Sequence, residues 1–257
     1  MGNKLFVKQR REEILHLLRK DGTVRVRELS RIFNVSEVTI RTDLEKLEKD
    51  GILFRVYGGA VDNIGTGLDT SFAMRAMINR ELKRRIAAKA ASMIQEGDTI
   101  SIDAGTTTME IARQLPGNLR FTVITNAPNI AMEAASREKI SVYMVGGFLS
   151  PNHVGLVGSD AEATIRSFYT NKAFVPVLSF DLERGWTDSN IPNARVKRAF
   201  FESTKQAIVV ADSTKYGKVA PVVVAPLSAV HTLIIDSSLS NEDVQRLRDA
   251  GLEVVLV

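Results

Sequence analysis

The sequence predicts a two-domain chain: a small α+β winged helix-turn-helix, then a larger α/β domain with a Rossmann-like, mainly parallel sheet. Three observations predict it. Residues 24–59 read as two short amphipathic helices, a tight turn between them and a β-wing. From residue 99 onward, short β-branched runs alternate with helical segments, the pattern of parallel strands joined by crossover helices. Between the two lies DNIGTGLDT, residues 62–70, whose Gly, Asp, Asn and Thr content marks a boundary. The expected limits are 1–61 for the head, with the helix-turn-helix at about 24–43, 62–78 for a linker and 79–257 for the α/β domain.

The head opens with a helix over 8–20, KQRREEILHLLRK, in which Ile14, Leu17 and Leu18 share a face. Lys8, Arg10 and Arg11 at its outer end read either as solvating charge or as phosphate contacts. His16 has no metal-ligand partner nearby and reads as ordinary surface or core. Asp21-Gly22 ends this helix, and Thr23 or Arg25 begins the next. There Val26, Leu29, Ile32 and Phe33 fall at i, i+3, i+6 and i+7, one helical face. Asn34-Val35 is short enough for a helix-turn-helix turn, and the Ser36 hydroxyl is suited to cap the second helix. In that helix Ile40, Leu44 and Leu47 point one way, while Val38, Arg41, Thr42, Glu45, Lys46 and Lys49 point the other. Gly51 suits the C′ position that closes it. Ile52, Phe54 and Val56 alternate against Leu53, Arg55 and Tyr57, which predicts a strand, with Gly58-Gly59 turning into a second one. This order of elements implies a helix laid in a DNA major groove. Ser36, Val38, Thr39, Arg41, Thr42 and Lys46 would face bases and phosphates, and Arg55 and Tyr57 the backbone or minor groove. The partner implied is double-stranded operator DNA.

After the boundary, SFAMRAMINRELKRRIAAKAASMIQEGD predicts one long helix or a helix pair. Ile86, Ala90 and Met93 share a face; Arg80, Lys83, Arg84, Arg85 and Lys89 read as a solvated basic face. Seven strand-like runs follow: TISIDA, FTVITN, SVYMVGG, KAFVPVLS, QAIVVAD, HTLIID and LEVVLV. In open α/β sheets, ligands sit beyond the carboxyl ends of strands. TISI is followed by Asp103, then Gly105, Thr106, Thr107 and Thr108 at a helix start, where amides, helix dipole and hydroxyls suit an anion. Asp103 would accept hydrogen bonds from sugar hydroxyls. Thr125-Asn126 and Gly146-Gly147 follow the next two strands. The loop matches neither the Walker phosphate loop nor the dinucleotide fingerprint. Trp186, the single tryptophan, reads equally as a cover over the pocket or as core.

With 257 residues, 44% hydrophobic and 25% charged, the composition is that of an ordinary globular chain. No apolar run of the length of a membrane span and no secretory h-region are visible, and cysteine is absent. Disulfides and thiolate metal sites are therefore excluded, and a reducing cytoplasm is the expected compartment. A net charge of +4 is a mild basic bias, consistent with a polyanionic partner.

The run VSEVTIRTDLEKLEKDGILFRVYGGAV resembles the N-terminal signature of the DeoR family of bacterial transcriptional regulators, and the resemblance extends over the whole chain. It implies a C-terminal domain similar in fold to ribose-phosphate isomerases, glucosamine-phosphate isomerases and CoA transferases, sensing a sugar phosphate or related metabolite. The family's D-x-G-T-T falls on Asp103, Gly105, Thr106 and Thr107; its T-N on Thr125 and Asn126; its G-G on Gly146 and Gly147. Its later lysine falls on Lys197, and its D-x-S/T-K-x-G run on Asp212-Ser213-Thr214-Lys215-Tyr216-Gly217. Lys197 and Lys215 are thereby phosphate partners, or else surface lysines. The chain departs from the family at Thr42, where a second arginine is usual, at Tyr57, where His is common, and at Asn193, where Glu is common. Glycines are also usual in the run that here contains Pro176 and Ser179, and proline is awkward inside a sheet.

An alternative reading is a sugar-phosphate isomerase-like enzyme fused to a DNA-binding head. It needs a carboxylate base, and Asp103, Asp181, Asp188 and Asp212 fall near strand ends. His153 and His231 lack partners for nucleophilic or zinc chemistry, and no nucleophilic glutamate for CoA transfer is identifiable. The fusion itself implies a non-enzymatic, cofactor-free switch that acts as a homodimer or homotetramer, since such heads read paired half-sites. The resemblance implies repression of a carbohydrate-catabolic operon, relieved by a sugar phosphate.

Overall fold

In the computed structural model, which describes residues 7–21, 23–49, 52–56, 58–62 and 72–257, contacts divide the chain into two units, Met1–Ile78 and Asn79–Val257. The first contains α1 (Val7–Asp21), β1 (Thr23–Arg25), α2 (Val26–Phe33), α3 (Glu37–Lys49), β2 (Leu53–Val56), β3 (Gly59–Asp62) and α4 (Phe72–Met77). The apolar faces of the helices and wing meet in one cluster that includes Ile14, Leu18, Val26, Leu29, Ile40, Leu44, Leu47 and Leu53. Ile32 does not join it: it is 60% exposed. Val26, Leu29 and Phe33 fill the inward face, and Ile32 lies past its edge. Of the two expected starts for α2, Arg25 is its N-cap and Thr23 is not, and the residues before α2 do more than lead into it. They form β1, which pairs antiparallel with β3 in a sheet of order β1-β3-β2. A Cβ on Gly59 would strike the Val24 carbonyl oxygen, so the wing turn needs a residue without one. Gly51, Tyr57 and residues 63–71 of the boundary lie outside the described residues.

Arg10 and Arg11 do more than solvate the end of α1. Both guanidiniums reach inward to Asp43 on α3, at 2.6 Å and 2.9 Å from Nε to the two carboxylate oxygens. Asp43 is 2% exposed and Arg10 6%. A carboxylate this deep is tolerated because each oxygen is held by a cation. The cluster fixes α3 against α1 on the side away from its outer face.

The second unit contains α5 (Arg80–Ser92), β4 (Thr99–Ile102), α6 (Thr106–Arg113), β5 (Phe121–Thr125), α7 (Pro128–Ala135), β6 (Ile140–Met144), β7 (Phe148–Ser150), β8 (Gly155–Val157) and α8 (Ser159–Arg166). It continues with β9 (Thr170–Pro176), β10 (Ser179–Asp181), β11 (Gly185–Asp188), α9 (Ile191–Glu202), β12 (Thr204–Ala211), β13 (Val222–Ala225), β14 (Thr232–Ile235), α10 (Asn241–Asp249) and β15 (Glu253–Leu256). The seven runs read as strands all enter one parallel sheet of order β15-β14-β12-β9-β4-β5-β6. Alternate residues of each strand face opposite sides. Ile100, Val123, Phe174 and Ile208 pack under α5, α6 and α7, while Val175, Val209 and Leu233 pack under α8, α9 and α10. The sheet is thus covered on both faces, as its continuous apolar runs require.

Of the two forms expected for the basic stretch, the structure has the helix pair, α4 and α5, broken at Asn79, which has a left-handed φ of 50°. Other local expectations are corrected. Lys83 on α5 is buried, so the face is not uniformly solvated. Trp186 is core: it is fully buried against Phe180, ring centroids 4.8 Å apart, and its Nε1 donates to the Leu227 carbonyl at 3.4 Å. Pro176 ends β9 beside β12, past the last residue of β9 that pairs with β4, so its missing N–H costs no bond to β4. The hairpin β7-β8 and the three-stranded sheet β10-β11-β13 were not anticipated.

Replacing Asp43 with alanine strands Arg10 in the head's interior. The expected cost is about 3–5 kcal/mol, seen in urea unfolding followed by circular dichroism as an early transition absent from the parent. Parent-like unfolding would show that the cluster carries no stability.

Candidate functional site

The head presents α3 as its outward helix. Asn34, with φ 49° and ψ 49°, makes the turn after α2, and the Ser30 hydroxyl donates to the Val35 carbonyl at 2.6 Å. The Ser36 hydroxyl accepts the Thr39 amide at 3.1 Å, which satisfies one of the unpaired donors at the helix start. Val38 is 67% exposed, and Arg41, Thr42 and Lys46 are exposed on the same side; Thr39 is half-buried. Arg41 is held by Glu37 at 2.6 Å one turn back, and the Thr42 hydroxyl donates to the Val38 carbonyl. Arg55, on the wing, pairs with Glu48 at 2.6 Å. These ion pairs are exposed and weak, so an incoming phosphate can compete for both arginines.

In the second unit, strand numbers rise outward from the β4/β9 boundary in both directions. That boundary is a topological switch point, where connections leave to opposite sides and a crevice opens beyond the carboxyl ends. Asp103 ends β4 there. Its Oδ2 lies 2.6 Å from Lys197 Nζ, and Asp188, at the end of β11, lies 3.7 Å from the same nitrogen. All three are at most 5% exposed. Burial pushes the Asp103 carboxyl above the usual carboxylate range; Lys197, Asn126 and the Ala104 amide pull it back without cancelling the effect. Gly105 follows, and a Cβ on it would lie 2.5 Å from the Pro176 ring, so β9 closes tightly over the start of α6.

The sequence-expected effector residues divide by what their side chains do. The hydroxyls of Thr106 and Thr107 have no hydrogen-bond partner among the described residues. Thr108 donates to the Gly105 carbonyl and is fully buried. Thr125 is spent internally, donating to the Ile102 carbonyl at 2.6 Å and accepting the Ala127 amide at 3.1 Å. Asn126 accepts the Ala104 amide at 2.9 Å and donates to the Leu156 carbonyl at 3.2 Å. Both residues shape the loop rather than offer idle groups. Gly146 and Gly147 are exposed. Lys197 is compensated by two carboxylates, and Lys215 is half-buried in a short turn after β12. Ser179 is buried and bonded to the Thr187 hydroxyl at 2.9 Å. The His231 ring accepts the Ala207 amide, a structural role.

Two residues escaped the sequence reading. Asn79, the first residue of the second unit, donates from Nδ2 to Asp212 at 3.2 Å. Asp236, after β14, accepts the Ser213 amide at 2.6 Å. Burial alone would raise the Asp236 carboxyl, but the bonds from Ser238 and Ser213 outweigh it and hold it below its ordinary value. No local pattern reveals either role, because Asp212, the partner of Asn79, and Ser213, a partner of Asp236, lie far along the chain.

Residues 10–64 match the DeoR-like helix-turn-helix domain, and residues 78–237 the DeoR C terminal sensor domain. The chain belongs to the DeoR family of transcriptional regulators. It is 38% identical over 253 residues to the HTH-type transcriptional regulator YulB of Bacillus subtilis, covering 98% of each chain. It is 37% identical over 229 residues to the transcriptional repressor AccR of Agrobacterium fabrum, covering 89% of each. Ribose 5-phosphate isomerase A of Methanocaldococcus jannaschii is similar at a TM-score of 0.40 and 16% identity, over 54% of this chain and 55% of that one. The full-length relatives are named regulators and repressors, not enzymes, and this DeoR-family chain is likewise a DNA-binding transcriptional regulator. No helix among the described residues is long and apolar enough to cross a membrane.

Arg41→Ala is expected to weaken operator binding by about 1–3 kcal/mol and to relax base preference, as loss of a base contact does. Fluorescence anisotropy on operator and scrambled duplexes measures it. Equal loss on both would make Arg41 a phosphate contact, and no loss would take it off the interface.

Proposed function

We propose that this DeoR-family regulator represses a carbohydrate-catabolic operon and that a sugar phosphate bound in the second unit controls its grip on the operator. The observation that carries this is the Asp103–Lys197–Asp188 cluster at the switch point, beside the start of α6. Idle hydroxyls on Thr106 and Thr107, the amides of α6 and its dipole favour an anion. Asp103 and Asp188 offer acceptor oxygens for sugar hydroxyls. Lys215 stands near Lys218, whose ammonium is disfavoured by burial and by Lys215 and favoured by Asp212, so the turn after β12 brings cations to a polar surface. In this reading Thr125, Asn126 and Lys197 hold the crevice in shape.

The route outward is Asn79. It joins the Asp212–Lys215 turn, after β12, to the point where the second unit begins. A ligand that moves this turn acts on that hydrogen bond, and the shift is limited by the ligand's difference in affinity for the two states. Helix-turn-helix heads read paired half-sites, so the working form is a homodimer or homotetramer.

Thr106→Ala is expected to keep operator binding and lose the response to sugar phosphate, whereas Asn79→Ala keeps both ligand binding and operator binding but loses the link between them. Thermal shift reports ligand binding, and band shifts on the chain's own upstream DNA report release. Unaltered dose curves for Thr106→Ala would remove α6 from the site.

A further inference from the structure

Asn193 sits on α9 and is 6% exposed, yet its side-chain Nδ2 is wholly buried and has no hydrogen-bond partner among the described residues. A buried donor left unpaired is destabilising, and native structures keep few of them. Helix capping does not explain it. The cap is made by Asn190, whose side-chain oxygen accepts the Asn193 backbone amide at 3.0 Å, so any residue at 193 would serve as well. Asn193 and Lys197 are four residues apart on α9 and therefore share a face. From that face Lys197 reaches Asp103 and Asp188. The idle donor and the ion cluster thus lie on the same side of one helix, at the same end of the sheet.

We propose that Asn193 is a specificity-determining residue whose amide donates a hydrogen bond to an uncharged oxygen, hydroxyl or carbonyl, of the bound sugar phosphate. The assignment rests on the sensor reading above and adds which end of the ligand lies here. Two carboxylates share the one ammonium, so the Lys197 charge is already engaged and the cluster suits hydroxyls better than a phosphate. The phosphate belongs with Thr106, Thr107 and the α6 amides, and the hydroxyl-bearing carbons with the cluster. A sugar hydroxyl can donate to Asp103 or Asp188 while accepting from Asn193. Neither carboxylate can supply that second bond when ionised. The unpaired donor is a cost to the empty protein that the right ligand removes, and a ligand lacking the oxygen leaves it unpaired.

The test compares the parent with Asn193→Leu, of similar size without the amide, and Asn193→Asp, which exchanges the donor for an acceptor. The probes are ribose 5-phosphate, fructose 1-phosphate, fructose 6-phosphate, glucose 6-phosphate, glycerol 3-phosphate and inorganic phosphate, read by thermal shift and calorimetry. The proposal expects empty Asn193→Leu to melt at or above the parent, because an unsatisfied donor is gone. It also expects both variants to bind the preferred ester at least tenfold more weakly, on the order of one lost hydrogen bond to a buried group, with the response to inorganic phosphate unchanged. An empty Asn193→Leu that melts well below the parent would make the amide structural and overturn the proposal. Parent-like ester binding in both variants overturns it while leaving the sensor reading intact. If no ester shifts the parent, the sensor reading fails and this assignment with it.

Discussion

The ion pair between Asp103 and Lys197, with Asp188 behind it, is the constraint on which the sensor unit depends. It links the end of β4, the end of β11 and the middle of α9, elements from separate parts of the chain. A lysine this deep requires a partner, and an aspartate at a strand end requires a cation or a proton. Satisfying both pins α9 to the strand ends where the strand order reverses. A cluster of hydrophobic residues would fill the same space with less desolvation cost, but it would offer no polar atoms to a ligand. The cluster is therefore polar at some expense to stability, as the proposed binding role would require.

The head uses the same device for a different end. Asp43 faces inward from α3 and is gripped by Arg10 and Arg11 from α1, so the helix is keyed in rotation as well as packed. Its apolar face alone would allow some roll about the axis; a two-cation clamp on one carboxylate does not. The outward row of Val38, Arg41, Thr42 and Lys46 is thereby presented at a fixed angle. Rigid presentation matters because base readout depends on side chains meeting groove edges within hydrogen-bond distance.

The large features were legible in the sequence for physical reasons. Continuous β-branched runs such as QAIVVAD and HTLIID have few alternatives to a buried parallel strand, and all seven entered the sheet. The caps and turns at Asn34 and Ser36 are local chemistry and were read locally. What failed was non-local. β1 is three residues whose only reason to be extended is β3, more than thirty positions later. Arg10 and Arg11 look like surface charge until Asp43 is brought beneath them. Thr125 and Asn126 read from the sequence as effector-site residues, but spacing does not reveal that their side chains close on Ile102, Ala104 and Leu156. Asn193 stood out only by its identity; its unpaired nitrogen is a property of the fold.

If one ligand-filled sensor unit governs one DNA-reading head, the coupling between them is reciprocal. The direct measurement is a linkage cycle on the full chain: operator affinity with and without the ester that binds, and ester affinity with and without operator. The two ratios are expected to agree and to differ from one by at least about fivefold, the lower end of typical allosteric coupling. An ester that binds tightly while operator affinity stays the same would contradict that coupling.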